Sequence, residues 1–407
     1  METIKGGVTA ATGFEAASYA AGIKYEGRTD MAMVFSKEPC VCAGTYTSNV
    51  VKAACVQWDK QLTDSGRPMH AVIINSGIAN ACTGQEGFDA CKATARAAEE
   101  ELNIPYDTVA VASTGVIGMQ LPVDKLVNGV KALSGRLSGS QDAGTDASRA
   151  IMTTDTVNKE TAVTFDIGGK KVTLGGMSKG SGMIHPNMCT MLAFLTSDIN
   201  IDKDLLQKAV SEVVRDTFNM ISVDGDTSTN DTLLIMANGL AGNDRISDEG
   251  AGYESFKEAL FFVCKTLAMK MAGDGEGASR LFTAHVVNAK NKEDARVLAR
   301  SIISSNLSKA AIFGCDANFG RFLCAMGYSG VFFDQTDVEL FFESRAGRLM
   351  VFDRGVPVDF DEDEALKILK EDEVTVFVDM HEGEYEATAW GCDLTYDYVK
   401  INADYRS

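Results

Sequence analysis

Lys179–Asp198 reads KGSGMIHPNMCTMLAFLTSD and changes character halfway along. Its first half contains Gly180, Gly182 and Pro186, which is typical of a loop because glycine adopts many backbone conformations and proline ends regular structure. Its second half, Met191–Thr196, is a continuous apolar run, which predicts a short strand buried on both faces. Loops next to rigid strands often carry functional residues. From spacing alone, a loop that enters a core strand remains the favoured interpretation.

Strand and helix signals alternate on both sides of this stretch. Toward the N-terminus we predict strands at Ala71–Asn75 and Thr108–Ala112, helices at Glu86–Leu102 and Leu121–Leu137, and a Gly-Gly hairpin at Thr161–Gly176. Toward the C-terminus we predict helices at Asp202–Phe218, Glu254–Met271 and Asp361–Glu373, and a hairpin at Val338–Asp353. Because many strands come as hairpins, we expect an α+β fold with helices packed on mixed or antiparallel sheets.

The composition excludes several classes of protein. The chain has 407 residues, 45% apolar and 23% charged, which suggests two or three globular domains or one large body and not a disordered tail. Its net charge of -19 repels nucleic acid and anionic membrane, so we expect neither as a partner. The sequence has no apolar run long enough for a membrane span and no signal-peptide pattern at its start. Ten scattered cysteines and four unpaired histidines predict free thiols, a cytoplasmic location and no metal centre.

Asp224–Asp231 (DGDTSTND) resembles the start of a calcium loop but lacks two required residues. Thr229 occupies the position of the glycine, and Ile235 occupies the position of the bidentate glutamate. We therefore interpret this segment as a polar turn, with contact to a substrate as the alternative.

Gly273–Gly277 (GDGEG) directly follows a predicted helix. A helix stop with a flexible turn is the favoured interpretation. The alternative is a loop that brings Glu276 against a cation.

Common catalytic motifs are absent from the sequence. It has no GxxxxGKS/T phosphate loop, no strand-linked GxGxxG, no GxSxG and no HExxH. Nucleotide-dependent and zinc-protease chemistry therefore lack support. His185 is interpreted as a loop histidine whose hydrogen bonds are satisfied.

The Lys179–Asp198 stretch closely resembles the self-cleavage signature of the glutamate N-acetyltransferase family, also called the ornithine acetyltransferase family, of arginine biosynthesis. The similarity extends along the chain in GGVTAATGF (6–14), INSGIANACTG (74–84), ASTGVIG (112–118), MTTDT (152–156), SVDGDTSTNDT (222–232), GDGEGAS (273–279), CDANFGR (315–321) and the C-terminal YDYVKINADYRS. So many long matches in order make chance resemblance negligible.

The resemblance implies a self-processing, amidohydrolase-like fold with an N-terminal threonine nucleophile. It implies cleavage between Cys189 and Thr190, which gives an α chain of residues 1–189 and a β chain of residues 190–407. Most members have alanine where this chain has Cys189, which becomes the last residue of the α chain. The family also suggests a heterotetramer of two α and two β chains.

Thr190 is the catalytic nucleophile that the resemblance implies. Cleavage frees its α-amine, whose unperturbed pKa of about 7.7–8.0 suits a general base near neutral pH. By the same resemblance, the Thr114 hydroxyl and the Gly115 N–H form the oxyanion hole. The implied reaction is ping-pong acyl transfer, in which N-acetylornithine acetylates Thr190 and glutamate then accepts the acetyl group.

The resemblance also implies a set of substrate-binding residues. They are Thr153, Lys179, Thr190, Glu276, Asn402 and Ser407. Lys179 suits the carboxylate of ornithine and Glu276 suits a cation, while Asn402 and Ser407 offer neutral hydrogen bonds. Ser407 keeps the hydroxyl of the threonine found in many relatives. No cofactor is implied, although acetyl-CoA is a possible substrate.

Three alternatives stay open at this stage. A bifunctional member also makes N-acetylglutamate from acetyl-CoA. A related self-processing aminopeptidase uses water as the acceptor, typically with a serine nucleophile. A binding or structural protein without catalysis predicts one intact polypeptide.

Overall fold

The computed structural model describes residues 1–185 and 191–404. Within these ranges the chain forms two compact units. The first consists of residues 1–180, 191–215 and 227–267, and the second of residues 181–185, 216–226 and 268–404. Residues 181–185, which follow β7 in sequence, are thus grouped with the second unit.

The described residues contain strands and helices in alternation. The strands are β1 (Glu2–Ile4), β2 (Phe14–Tyr19), β3 (Met31–Tyr46), β4 (Met69–Ile78), β5 (Val109–Val116), β6 (Lys159–Ile167), β7 (Lys170–Lys179), β8 (Leu192–Ser197), β9 (Ile221–Ser222), β10 (Thr232–Ala237), β11 (Leu281–Ala289), β12 (Glu339–Ser344), β13 (Gly347–Asp353), β14 (Val356–Pro357), β15 (Glu373–Asp379) and β16 (Tyr385–Cys392). The helices are α1 (Ala54–Ser65), α2 (Gly84–Leu102), α3 (Val123–Ser134), α4 (Gln141–Ala150), α5 (Lys203–Arg215), α6 (Ala251–Gly273), α7 (Lys292–Ser304), α8 (Asn306–Gly314), α9 (Phe319–Gly327), α10 (Glu362–Leu369) and α11 (Tyr396–Ala403).

The first unit contains a mixed sheet in the order β1-β6-β7-β8-β10-β3-β4-β5, with β2 paired to β3. The pairs β8–β10 and β4–β5 are parallel, and the other pairs are antiparallel. Strand β3 is long enough to pair with β10 through its second half and with β2 and β4 through its first half. Helices α1 to α4 pack on the β2–β5 part of this sheet. The β8 strand is buried along its whole length, as expected for an apolar run inside a sheet.

The second unit contains a mixed sheet in the order β14-β13-β12-β15-β11-β16-β9. Here β11–β15 and β16–β9 are parallel, while β11–β16, β12–β13 and β12–β15 are antiparallel. Helix α7 packs on β11 and β16, and α10 packs on β12 and β13. The inward-facing positions of β11 alternate with partly exposed ones, which is the pattern of a sheet covered on one face.

The predicted α+β class with mixed and antiparallel sheets is confirmed. The Thr161–Gly176 hairpin is present, and Gly168 and Gly169 at its turn have φ of +59° and +79°, the left-handed pair that a two-residue hairpin turn needs. The Val338–Asp353 hairpin is also present as β12 and β13.

Three predicted helices are shorter than expected, and one of them, predicted at Leu121–Leu137, spans only Val123–Ser134. The Asp202–Phe218 helix ends at Arg215, because Thr217 leaves helical geometry with φ of -128° and ψ of -91°. The Asp361–Glu373 helix ends at Leu369, and Glu373 instead begins β15. Its start is as predicted, since the Asp361 carboxylate caps the first turn.

The structure also bears on two expectations from composition, one about the cysteine thiols and one about membrane-spanning helices. Every cysteine that the structure describes is a free thiol. Among the described helices, none combines the length and apolar character that crossing a bilayer requires.

Candidate active site

Strands β7 and β8, which flank the predicted cleavage site in sequence, are paired in the sheet of the first unit. Lys179, the last residue of β7, is the antiparallel partner of Leu192. On the other side of β8, the Thr232 N–H donates to the Met191 carbonyl at 2.7 Å, which extends the parallel ladder to the residue after Thr190 in sequence. The predicted scissile pair, Cys189 and Thr190, lies outside the described residues, as does Ser407.

The end of β5 carries the predicted oxyanion residues. Thr114 is nearly buried, and Gly115 has φ of +133°. A Cβ at position 115 would overlap the carbonyl of Gly77, its partner in the parallel β4–β5 ladder. Gly115 is therefore required for the close approach of two backbones at this edge. The Asn230 amide fixes the same strand end by donating to the Ser113 carbonyl at 2.8 Å.

The Lys179 ammonium connects two of the predicted residues in the first unit. Its Nζ donates to Thr153 Oγ1 at 2.8 Å and to Thr114 Oγ1 at 3.1 Å. The side chain is largely buried. Because Thr114 Oγ1 accepts from an ammonium, its own O–H remains able to donate to another group. The structure thus brings Thr114, Thr153 and Lys179 together.

A buried ion pair lies beside this cluster. The Asp155 carboxylate accepts from Lys159 Nζ and from the Gly180 N–H, both at 2.7 Å, and from the Thr153 N–H at 3.1 Å. The side chains of Asp155 and Lys159 are fully buried. Burial alone would raise the pKa of Asp155, but the Lys179 and Lys159 ammonium groups and these hydrogen bonds outweigh burial and lower it. Asp155 therefore remains ionised and holds the backbones of Thr153 and Gly180 in place.

A second buried carboxyl, Asp231, lies at the start of β10. Burial raises its pKa well above the usual value, against the opposing effects of the Thr47 and Ser228 hydroxyls, the Lys179 ammonium and the Met191 N–H. Its Oδ2 has no hydrogen-bond partner within residues 1–185 and 191–404. Burial therefore favours the protonated form of this carboxyl more than water does.

In the second unit, two other predicted residues meet. Asn402 on α11 donates its Nδ2 hydrogen to Glu276 Oε2 at 2.7 Å. Glu276 is nearly buried, and its backbone N–H donates to the Ser181 carbonyl at 2.8 Å. A Cβ at Gly182 would lie 2.5 Å from Glu276 Oε2, so any larger residue there would have to displace the Glu276 carboxylate.

The Gly273–Gly277 loop is glycine-rich because the C-terminal segment packs against it. A Cβ at Gly275 would lie 2.6 Å from Cys392 Sγ, and a Cβ at Gly277 would lie 2.7 Å from the Tyr398 backbone nitrogen. The Gly277 carbonyl also accepts from the Thr395 hydroxyl at 2.7 Å. The loop is thus a packed connection that presents Glu276, and not the flexible turn that we expected from the sequence.

The Asp224–Asp231 segment is a polar turn, as predicted. The Asp224 carboxylate caps it by accepting from the Asp226 N–H at 3.2 Å. The same carboxylate also accepts from the Met183 and Ile184 N–H groups. His185 is a hydrogen-bonded loop histidine, also as predicted.

One group of potential metal ligands occurs in the described part of the second unit. The ligand atoms of Glu339, Asp379 and His381 all lie within 4.8 Å of one another. His381 already contacts both carboxylates, at 3.2 Å and 3.5 Å, and Arg354 contacts Glu339. These ion pairs account for the grouping without a metal.

Sequence reasoning missed the residues that hold the predicted ones. Asp155 and Asp231 fall inside motifs that were matched, yet no local pattern marks either as buried. Asn230 was assigned only to a polar turn. A buried role becomes visible only when β5, β7 and β10 are placed in one sheet.

The chain is similar in sequence to known proteins over its whole length. A profile of the ArgJ family matches residues 15–407. The arginine biosynthesis bifunctional protein ArgJ of Symbiobacterium thermophilum is 51% identical over 409 residues, with 100% of both chains covered. ArgJ 1 of Clostridium acetobutylicum is 48% identical over 411 residues, again with 100% of both covered. A crystal structure of argJ from Bacillus halodurans is 44% identical, with 52% of this chain and 97% of that chain covered and a TM-score of 0.49.

Proposed function

The chain belongs to the ArgJ family, and on that premise we propose that it transfers an acetyl group from N-acetylornithine to glutamate through an acetyl ester on Thr190. The observation that carries the proposal is the Lys179 ammonium held between the Thr114 and Thr153 hydroxyls. This cluster lies at the base of the loop that contains Thr190 in sequence, since Lys179 is paired with Leu192.

The chain first cuts itself between Cys189 and Thr190. Thr190 Oγ attacks the Cys189 carbonyl carbon, a C–O bond forms, the C–N bond breaks, and the hydroxyl proton passes to the departing nitrogen. Water then hydrolyses the ester and leaves a Cys189 carboxylate and a free Thr190 amine. That amine is the general base which a threonine nucleophile needs.

The acyl-transfer steps each pass through an oxyanion. The Thr114 O–H and the Gly115 N–H are the proposed donors, and loss of one such donor costs about 10²–10³ in rate. The hydrogen bond from Lys179 supports this role, because it occupies a lone pair of Thr114 Oγ1 and leaves the hydrogen for the oxyanion.

Recognition of the amino-acid substrates uses charges of both signs. Lys179 is the proposed partner of a substrate carboxylate, with Thr153 beside it. Glu276 is the proposed partner of a substrate ammonium, with Asn402 holding its carboxylate. Ser407 is a further proposed contact.

The curated relatives are named bifunctional proteins of arginine biosynthesis. This favours, as a second activity, acetylation of glutamate with acetyl-CoA as the donor. The proposal includes a heterotetramer of two α and two β chains in the cytoplasm, without a bound cofactor.

One experiment tests the self-cleavage and the nucleophile together. Intact mass and N-terminal sequencing of purified protein should give fragments 1–189 and 190–407, the second beginning at Thr190. Thr190→Ala should stay uncut and inactive while its melting curve stays cooperative, and Thr190→Ser should still cut and react, more slowly. A fully active, unbroken chain would overturn the proposal.

The two donors are separated by a second assay. Formation of N-acetylglutamate is measured with N-acetylornithine or with acetyl-CoA as the sole donor. Activity with N-acetylornithine alone supports a single-function enzyme, and activity with both supports the bifunctional form. Release of free acetate faster than acetyl transfer would instead indicate a hydrolase.

A further inference from the structure

The short segment 181–185 is tied down by hydrogen bonds within the second unit. The Ser181 carbonyl accepts from the Glu276 N–H at 2.8 Å, and the Ile184 carbonyl accepts from the Val223 N–H at 2.7 Å. His185 is held through both ring nitrogens, Nδ1 to Ser222 Oγ at 3.1 Å and Nε2 to Arg300 Nη2 at 3.2 Å. The backbone is therefore fixed up to four residues before Cys189.

Asp224 makes the central contacts to this segment. Its Oδ2 accepts from the Met183 N–H at 2.6 Å, and its Oδ1 accepts from the Ile184 N–H at 2.9 Å. Hydrogen bonds to an ionised acceptor are roughly twice as strong as neutral ones. These donors are 41 and 40 residues away in sequence, so the carboxylate does more than close its own turn.

Met183 adopts a conformation that needs such support. Its φ is +55°, a left-handed value that is strained for a residue other than glycine. The residue is 41% exposed, so burial does not explain the conformation. The hydrogen bonds from Met183 and Ile184 to one carboxylate compensate the strain.

The same carboxylate also contacts the C-terminal helix. The Tyr398 hydroxyl donates to Asp224 Oδ2 at 3.3 Å, and Tyr398 precedes Asn402 by one turn of α11. Removing this hydroxyl leaves the contacts to Met183 and Ile184 intact, which allows the two contacts of Asp224 to be tested separately.

We propose that Asp224 is a positioning residue for self-cleavage, which holds Met183 and Ile184, a few residues before the Cys189–Thr190 bond in sequence, in the backbone conformation that cleavage requires. This inference rests on the proposed function, since it requires that the chain cuts itself. In this proposal Asp224 acts through the segment that precedes the scissile bond in sequence.

The test follows the disappearance of full-length precursor after cell-free synthesis, by denaturing gel and intact mass. Asp224→Asn keeps the size of the side chain but turns an NH₂ group toward one of the two N–H donors. We expect the precursor half-life to rise at least about tenfold. Asp226→Asn is the matched control, because the exposed Asp226 carboxylate lies in the same turn and the substitution removes the same charge. It should leave the half-life unchanged, and so should Tyr398→Phe.

A rescue experiment separates positioning from a general loss of stability. Glycine adopts positive φ without strain, so Met183→Gly should restore much of the cleavage rate in the Asp224→Asn background. Folding is compared in the uncut Thr190→Ala background, where adding Asp224→Asn should leave a cooperative melting transition. Should Asp224→Asn misfold there, Asp224→Glu, which keeps the charge but shifts the carboxylate, should still slow cleavage.

The outcomes distinguish this inference from the proposed function. A wild-type chain that never cuts would refute the proposed function itself. Normal cleavage of a folded Asp224→Asn chain would overturn the role of Asp224, and equal slowing by Asp226→Asn would assign the effect to loop charge instead. Absence of rescue by Met183→Gly would contradict the positioning mechanism.

Discussion

A Cβ atom on Gly182 would lie 2.5 Å from Oε2 of Glu276, well inside the contact distance of real Cβ atoms. Gly182→Ala should therefore displace the Glu276 carboxylate and weaken its contact with Asn402. We expect KM of the mature enzyme for N-acetylornithine to rise at least about tenfold, with a smaller change in kcat. Gly327→Ala is the control, because a Cβ there meets no atom within 4 Å, and it should leave both constants unchanged.

Thr114 offers a test of the oxyanion hole. Thr114→Val keeps the shape of the side chain but removes the donor, so kcat should fall about 10²–10³-fold with little change in KM. Thr114→Ser retains the hydroxyl and should keep most of the activity. Steady-state kinetics of cleaved protein is the measurement, and an unchanged kcat in Thr114→Val would exclude Thr114 from the oxyanion hole.

The Asp155–Lys159 pair should matter for stability. Asp155→Asn leaves the fully buried Lys159 ammonium without a counter-charge, which typically costs about 3–5 kcal/mol. Urea unfolding measures this loss. The exposed Lys60–Asp64 pair supplies the control, since Asp64→Asn should change the free energy of unfolding by about 0–1 kcal/mol.

The same carboxyl has a defined pH dependence. The pKa of Asp155 is lower in the folded chain than in the unfolded one, so its contribution to stability is present above the unfolded pKa of about 3.9. It is lost as the pH falls through the folded pKa. Stability of the wild type relative to Asp155→Asn should therefore be constant near neutral pH and should shrink only in acid.

Asp59 on α1 should show the opposite pH dependence. Burial raises the pKa of its carboxyl well above the usual value, and only the Val111 N–H opposes this, by donating to Oδ1 at 2.8 Å. A raised folded pKa stabilises the fold below the unfolded pKa, and this stabilisation is lost as the pH rises through the folded pKa. The melting temperature of the wild type relative to Asp59→Asn should fall as the pH rises from the unfolded pKa of about 3.9 through the folded pKa. A constant difference would contradict a raised pKa.

Elements that depend on local pattern were predictable from the sequence. The Gly168-Gly169 turn is an example, since it requires two positive φ values that glycine supplies, and the flanking residues alternate regularly. The buried β8 strand is another, because an unbroken apolar run fits only a sheet interior. Helix ends were less predictable: α5 stops at Arg215 although apolar spacing continues to Phe218.

The side chains that hold the candidate site were not predictable, because their partners are distant in sequence. Asp155 contacts Gly180 across 25 residues, and Asn230 contacts Ser113 across 117. Nothing near Asp155 or Asn230 in the sequence specifies these partners. The proposed substrate-binding residues were named through family resemblance. The structure adds the hydrogen bonds that hold the residues around them in place.

The order of strands in the first sheet determines when the proposed cleavage can occur relative to folding. Strands β8 and β10, which follow the proposed cut, lie between β7 and β3, which precede it. Either cleavage product alone would expose unpaired strand edges, which promote aggregation. The proposed cleavage should therefore follow folding, within an already formed sheet, and the two polypeptides should stay paired through their strands. If residues 1–189 and 190–407 were made from two separate genes, we expect each half to fold poorly, because its strands would lack their partners.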